Sequence, residues 1–136
     1  MNFNQLIKKI KKARFVWVCG NGGSASTAEH LTNDLFSKNI RSFCLNSNVA
    51  IVTMLANDFG YEYIFSSQLD LYANRKDLLI TISCSGTSKN VVNAIDFAKI
   101  IGMNFYQFET FKSGDRDYGK LENEHLQLVH QIKEAL

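Results

Sequence analysis

The sequence contains no proline, so it lacks the commonest punctuation between domains, and no linker, repeat or low-complexity tract takes its place. A single domain spanning residues 1–136 is the expectation, a length at which roughly two-thirds of the unfolded surface is buried on folding. Cysteine is scarce: Cys19, Cys44 and Cys84 are odd in number and show no CxxC spacing, which argues against structural disulfides. No apolar run approaches the ~20 residues of a membrane span, and no signal-like series opens the chain, so a cytoplasmic protein without membrane contact is expected. Charge of one sign is also missing. Fifteen basic residues stand against 13 acidic ones, and the dense run Lys8, Lys9, Lys11, Lys12 and Arg14 lies on an amphipathic segment without interleaved aromatics. That pattern describes a solvated helix face and excludes nucleic acid as an expected partner.

Hydrophobic residues make up 46% and charged residues 21%, the balance of a compact globular chain. Phe3, Leu6, Ile7 and Ile10 fall at helical spacing, and Phe15 to Cys19 reads as a short buried strand. Helical patterns over about 25–38, 49–56, 61–73, 89–101 and from about Leu121 are predicted. Strands are predicted at 41–45, 77–82 and 103–109. Short apolar strands alternating with helices predict an α/β fold: a three-layer arrangement, flavodoxin-like or Rossmann-like, with one parallel sheet flanked by helices.

Two loops stand at strand-to-helix junctions. Gly20-Asn21-Gly22-Gly23-Ser24 follows the first strand, and Ser83-Cys84-Ser85-Gly86-Thr87-Ser88 follows the third. In open α/β sheets ligands sit beyond the carboxyl ends of strands, where free N–H groups and the dipole of the next helix favour an anion. Glycines allow the backbone to approach a ligand closely, and the hydroxyls of Ser24, Ser83, Ser85, Thr87 and Ser88 supply donors. Each loop alone is equally well read as a helix cap. Two such loops in one small sheet tilt the reading toward a site for a phosphorylated small molecule. Neither contains GxGxxG or GxxxxGK[ST], which disfavours dinucleotides and nucleoside triphosphates.

On the helix after the first loop, His30 and Asp34 are four residues apart and share a face on which both could hold one ion. Glu122 and His130, eight apart on the last helix, also lie near one face, separated by about 12 Å of helical rise. Taken alone, such residues are more often surface or capping groups than ligands.

Three blocks carry a resemblance: Cys19 to Ser24 with His30 six residues on, Ala56-Asn57-Asp58-Phe59-Gly60, and Ile82 to Ser88. They resemble sugar isomerase (SIS) domains, specifically bacterial phosphoheptose isomerases, from about residue 5 to the C-terminus. The resemblance implies a homo-oligomer, tetramer or dimer, interconverting sedoheptulose 7-phosphate and glycero-manno-heptose 7-phosphate for surface heptose. It also implies zinc held by His30, Asp34, Glu122 and His130, with Asp34 and His130 as the catalytic acid/base pair. Asn21, Gly22, Gly23, Asn57 and Asp58 then correspond to sugar-contacting positions and Ser83, Cys84, Ser85 and Ser88 to phosphate-contacting ones, with Ser24 and Glu122 also substrate-binding.

The chain departs from that pattern at several points. Asp34 stands for glutamate, Glu122 for glutamine, Cys84 for threonine and Lys38 for arginine. The first helix corresponds to the family's second, and Phe108 to Lys120 looks shortened where another strand is expected. Because such sites draw on neighbouring subunits, a changed assembly could leave His130 remote from Asp34. The competing expectation is a non-catalytic SIS module that binds a sugar phosphate or a protein partner as a regulator.

Overall fold

In the computed structural model, which describes residues Met1–Leu136, helix α1 (Phe3–Lys12) is followed by strand β1 (Val16–Gly20) and helix α2 (Gly23–Ser37). Strand β2 (Ser42–Cys44), helix α3 (Val49–Asp58), a 3-10 turn at Tyr61–Tyr63 and helix α4 (Ser66–Tyr72) come next. Strand β3 (Leu78–Ile82), helix α5 (Lys89–Ile101), strand β4 (Asn104–Gln107) and helix α6 (Tyr118–Ala135) complete the chain. The four strands form one parallel sheet in the order β2-β1-β3-β4. The expected three-layer α/β architecture is therefore the observed one.

Alternation along the central strands divides the core into two layers. Val16 and Val18 of β1, with Leu78, Ile80 and Ile82 of β3, face Leu6 and Ile10 of α1, Leu31 and Leu35 of α2 and Val129 and Ile132 of α6. Trp17 and Cys19, with Leu79, face Leu55, Ile64, Phe65 and Leu69, and Val91, Ala94 and Ala98 of α5. Strands buried on both faces are largely apolar, which is why β1 and β3 read as near-continuous hydrophobic runs, with the buried Thr81 as the polar exception. At the opposite end from the glycine loop, the buried Asp77 carboxylate accepts hydrogen bonds from Arg14 Nε (2.8 Å), Trp17 Nε1 (3.0 Å) and the Asn74 N–H (2.8 Å). A buried charge is tolerable only when paired and hydrogen-bonded in this way. Arg14 thus holds the base of the sheet together, while Lys8, Lys9, Lys11 and Lys12 form the exposed face expected of them.

Two helical segments differ from expectation by more than two residues for local reasons, and the shortened stretch after Phe108 is as expected. The segment 61–73 is broken because Ile64 and Phe65 are both fully buried, and the chain turns there to bury them side by side before α4 starts. Helix α6 begins at Tyr118, three residues early, because the Asp117 side chain caps it by accepting from Lys120 N at 3.1 Å. No strand forms between Phe108 and Lys120. The chain instead crosses the second loop, the Phe111 N–H donating to the Cys84 carbonyl at 2.8 Å.

Candidate functional site

Strand order reverses between β1 and β3, since β2 lies on one side of β1 and β3 on the other. The crevice at their carboxyl ends is therefore where an open α/β sheet places its ligand, and both special loops open there. Gly20 ends β1 with its backbone clamped by Asn46, whose Nδ2 donates to the Gly20 carbonyl at 2.7 Å and whose Oδ1 accepts from the Gly20 N–H at 3.2 Å. Gly22 is the N-cap of α2 with φ +57° and ψ −124°, a conformation closed to side-chain-bearing residues. Asn21 and Asn90 exchange amide hydrogen bonds of 2.8 and 3.0 Å, which ties the first loop to the first turn of α5.

The second loop is ordered from within. Ser83 Oγ accepts from the Gly86 N–H at 3.0 Å and Ser85 Oγ from the Thr87 N–H at 3.2 Å. Neither N-cap residue, Gly22 or Ser88, caps its helix with its own side chain. Gly22 has no side chain with which to cap and Ser88 does not use its own, so neither N-cap side chain competes with an anion at the starts of α2 and α5.

Asn21, Ser24, Ser83, Cys84, Ser85, Ser88, Tyr118 and Glu122 line one cleft of about 110 Å³. Pockets that enclose whole small ligands run to ~300–1,000 Å³. This one suits a phosphate group, with the rest of a ligand extending outward. Glu122 packs over Gly23 so closely that a Cβ there would come within 2.6 Å of its Oε1. Asn57 and Asp58 lie outside this cleft, exposed at the end of α3 and bonded to each other at 3.0 Å. It is Tyr61, just beyond them, whose hydroxyl reaches Asn21 Oδ1 at 3.0 Å.

Cys84 is 4% exposed, and burial followed by the nearby Glu122 carboxylate pushes its thiol up from the ordinary cysteine range, with a hydrogen bond from Ser24 partly opposing. A thiol held neutral is a poor nucleophile. Cys84 should therefore alkylate with iodoacetamide at pH 7 at least ~10-fold more slowly than an unperturbed thiol, a rate measurable by mass spectrometry.

The second cluster forms where α2 packs against α6. His30, Asp34 and His130 bring one donor atom each within 4.8 Å of one another, all in one chain. The His30 and His130 rings meet edge to face at 5.2 Å, and His30 Nε2 lies 3.5 Å from Asp34 Oδ2. The Asp34 side chain is 2% exposed, and its Oδ2 has no hydrogen-bond partner. An orphaned buried carboxylate oxygen facing two imidazoles has the chemistry of a cation site, and two histidines with a carboxylate suit a divalent metal with a coordination position left open. His130 is therefore not remote from Asp34 and needs no neighbouring subunit to reach it. Glu122, expected as a fourth ligand, is not part of the cluster. It lies more than two turns earlier on α6, so its carboxylate serves the cleft at Gly23 instead.

Several residues of this region have no signature in the sequence. Asn46, Tyr61, Asn90 and Tyr118 belong to no recognisable spacing. Neither does Lys133, whose Nζ donates to Asp34 Oδ1 at 2.8 Å. Lys38 is exposed on the surface at the end of α2.

A model of the SIS domain matches residues 3–108. The phosphoheptose isomerase of Helicobacter pylori (strain P12) is 37% identical over 123 residues, which cover 86% of this chain and 62% of that protein. The phosphoheptose isomerase of Campylobacter concisus (strain 13826) is 30% identical, with 93% of this chain and 77% of that protein covered. A solved phosphoheptose isomerase from Francisella tularensis superposes with a TM-score of 0.87 at 25% identity, over 97% of this chain and 83% of that one. The chain thus spans about six-tenths of the length of its Helicobacter relative.

Proposed function

Because the chain belongs to the SIS-domain family and groups within it with the phosphoheptose isomerases, we propose that it interconverts sedoheptulose 7-phosphate and D-glycero-D-manno-heptose 7-phosphate. The observation that carries this reading is the assembly of His30, Asp34 and His130 on the same two helices, α2 and α6, that line the hydroxyl-rich cleft. A phosphate end and a reacting end are thereby held on one framework.

The chemistry follows from what these groups do around a buried Asp34 carboxylate flanked by two solvent-accessible imidazoles. Ser24, Ser85 and Ser88, with the starts of α2 and α5, bind the phosphate and fix the position of the sugar chain. Glu122, acidic and beside that cleft, accepts from sugar hydroxyls rather than from phosphate. The Asp34 carboxylate removes the proton from C1 of the ketose and returns it to C2 of the resulting cis-enediol, giving the aldose. His130 moves the compensating proton between the two oxygens, so that the sugar keeps its charge throughout. Zinc, held by His30, Asp34 and His130, would supply Lewis-acid polarisation of the carbonyl. Asn21, Gly22 and Gly23, with Asn57 and Asp58 at the end of α3 outside the cleft, are the remaining sugar-side positions in this reading. Function in bacterial surface heptose synthesis, in the cytoplasm and as a homo-oligomer, belongs to the same proposal. It is consistent with the absence of any helix long and apolar enough to cross a membrane.

Incubation of the protein and zinc with sedoheptulose 7-phosphate should yield heptose 7-phosphate, detected by chromatography of the dephosphorylated sugars. Bound phosphosugar without any aldose product would replace this reading with that of a non-catalytic binding module.

A further inference from the structure

If His30, Asp34 and His130 hold a divalent cation, as the proposed function has it, Asp34 still needs a partner before that cation arrives. The carboxylate is almost wholly buried, and a charge so placed is costly unless paired. Its other neighbours are weak: the Asn33 amide donates to Oδ1 at 3.4 Å, and His30 Nε2 stands 3.5 Å from Oδ2. Lys133 approaches from the next turn of α6 beyond His130, its ammonium 2.8 Å from Oδ1 while its side chain remains 42% exposed. It is the one cation placed on this carboxylate by direct contact.

We propose that Lys133 is a resident counter-ion of the metal cluster: it holds Asp34 oriented in the metal-free protein and sets the affinity for the divalent cation by opposing it across the same carboxylate. One aspartate and one ammonium sum to zero charge, so an arriving cation meets a carboxylate whose charge is already offset by Lys133. The two oxygens divide the roles. Oδ1 is committed to Lys133, and Oδ2, without a partner, is left toward the two histidines. A divalent ion bound through Oδ2 would lie within a few ångströms of the ammonium. The two repel with an energy that water screens only in part, because one face of the pair is buried and the other open. Lys133 in this role is a positioning residue: it touches Asp34, not the substrate.

The test compares wild type with Lys133→Gln, which keeps a hydrogen-bond donor without the charge, Lys133→Met, which keeps only the stem, and Lys133→Arg, which keeps the charge. Chelator-treated proteins are melted and then titrated with Co²⁺, followed by its visible absorption. Both uncharged variants should bind Co²⁺ at least ~10-fold more tightly than wild type, with Lys133→Arg close to wild type. Metal-free Lys133→Met should melt several degrees lower than wild type, and Co²⁺ should restore it. Equal Co²⁺ affinity in wild type and Lys133→Gln overturns the counter-ion role and leaves the metal site standing. Failure of Co²⁺ to bind either protein removes the metal site itself, and the proposal with it.

Discussion

Asp34→Asn is expected to lower the turnover of sedoheptulose 7-phosphate by about 10²–10⁴-fold, the usual contribution of a positioned acid/base group, with much less change in KM. The split follows from the geometry. In the proposed reading phosphate binds in the cleft lined by Ser24, Ser83, Ser85 and Ser88, whereas Asp34 belongs to the cluster with His30 and His130. Asparagine is nearly isosteric, so a loss confined to kcat reports the missing carboxylate, as proton acceptor and as metal ligand, rather than a collapsed site. His130→Ala should produce a loss of similar size. The double variant should lose much less than the product of the two, because groups that act as a unit are not additive. Steady-state kinetics on the three proteins, with circular dichroism to confirm folding, decides the matter. A double variant whose loss equals the product of the singles would separate the two residues into independent roles.

Asp34→Glu tests the same carboxylate in the opposite direction. Aspartate is one methylene shorter than the glutamate implied by the family resemblance, and a misplacement of about 1 Å can cost ~100-fold in rate. If reach limits this chain, glutamate should raise kcat. The burial of Asp34 against the α2–α6 contact sets the opposing effect, since an added methylene in a filled position must displace its neighbours. The Lys133 contact enters here too, because a longer side chain would carry its oxygens away from the ammonium now 2.8 Å from Oδ1.

How far the sequence could be read follows from which interactions are local. The strands of the sheet were legible because burial on both faces favours near-continuous apolar runs at β1 and β3. The two loops were legible because glycines and hydroxyls between a buried strand and a helix leave bare N–H groups at the helix start, a local arrangement that favours an anion. His30 with Asp34 was legible as a helical pair, since spacing of four fixes a shared face. What spacing could not show was which turn of α6 meets α2. The helix offers Glu122 and His130 on nearly the same face, and only the packing of Val129 and Ile132 into the core brings the later turn against Asp34. Glu122 was consequently assigned to two places and occupies one. Lys133, Asn46 and Asn90 were invisible for the same reason. Each acts across 26 residues or more, through a contact that no local pattern encodes. Asn57 and Asp58 were legible only through the resemblance, and within this chain it is Tyr61, just beyond them, that meets Asn21.

Gly20→Ala is expected to destabilise the fold by about 3 kcal/mol, at the upper end of ordinary overpacking, and to weaken phosphosugar binding even where the protein remains folded. An added Cβ would stand 2.6 Å from the Ser24 carbonyl oxygen and 2.8 Å from that of Ile82. Both are backbone atoms, so no side chain can swing away to relieve the contact. Ser24 lies in the first turn of α2, and Ile82 ends β3 immediately before the second loop. Relief therefore requires the two loops to move apart, and the Asn46 clamp on Gly20 resists any movement of β1 in the other direction. At about 3 °C per kcal/mol for a chain of this size, the melting temperature should fall by roughly 10 °C. Phosphosugar affinity should fall with it, since Ser24 and Ser83 line the cleft from opposite sides of the same wedge. Gly23→Ala is the control. The atoms nearest its added Cβ all belong to the movable end of Glu122, so its stability should change by no more than ~1 kcal/mol; it controls for stability alone, and thermal melting of the two variants without ligand separates the outcomes. A Gly20→Ala protein that melts with the wild type would mean that β1 and β3 are free to part at their carboxyl ends, contrary to the close backbone approach through which one glycine joins the two anion-binding loops.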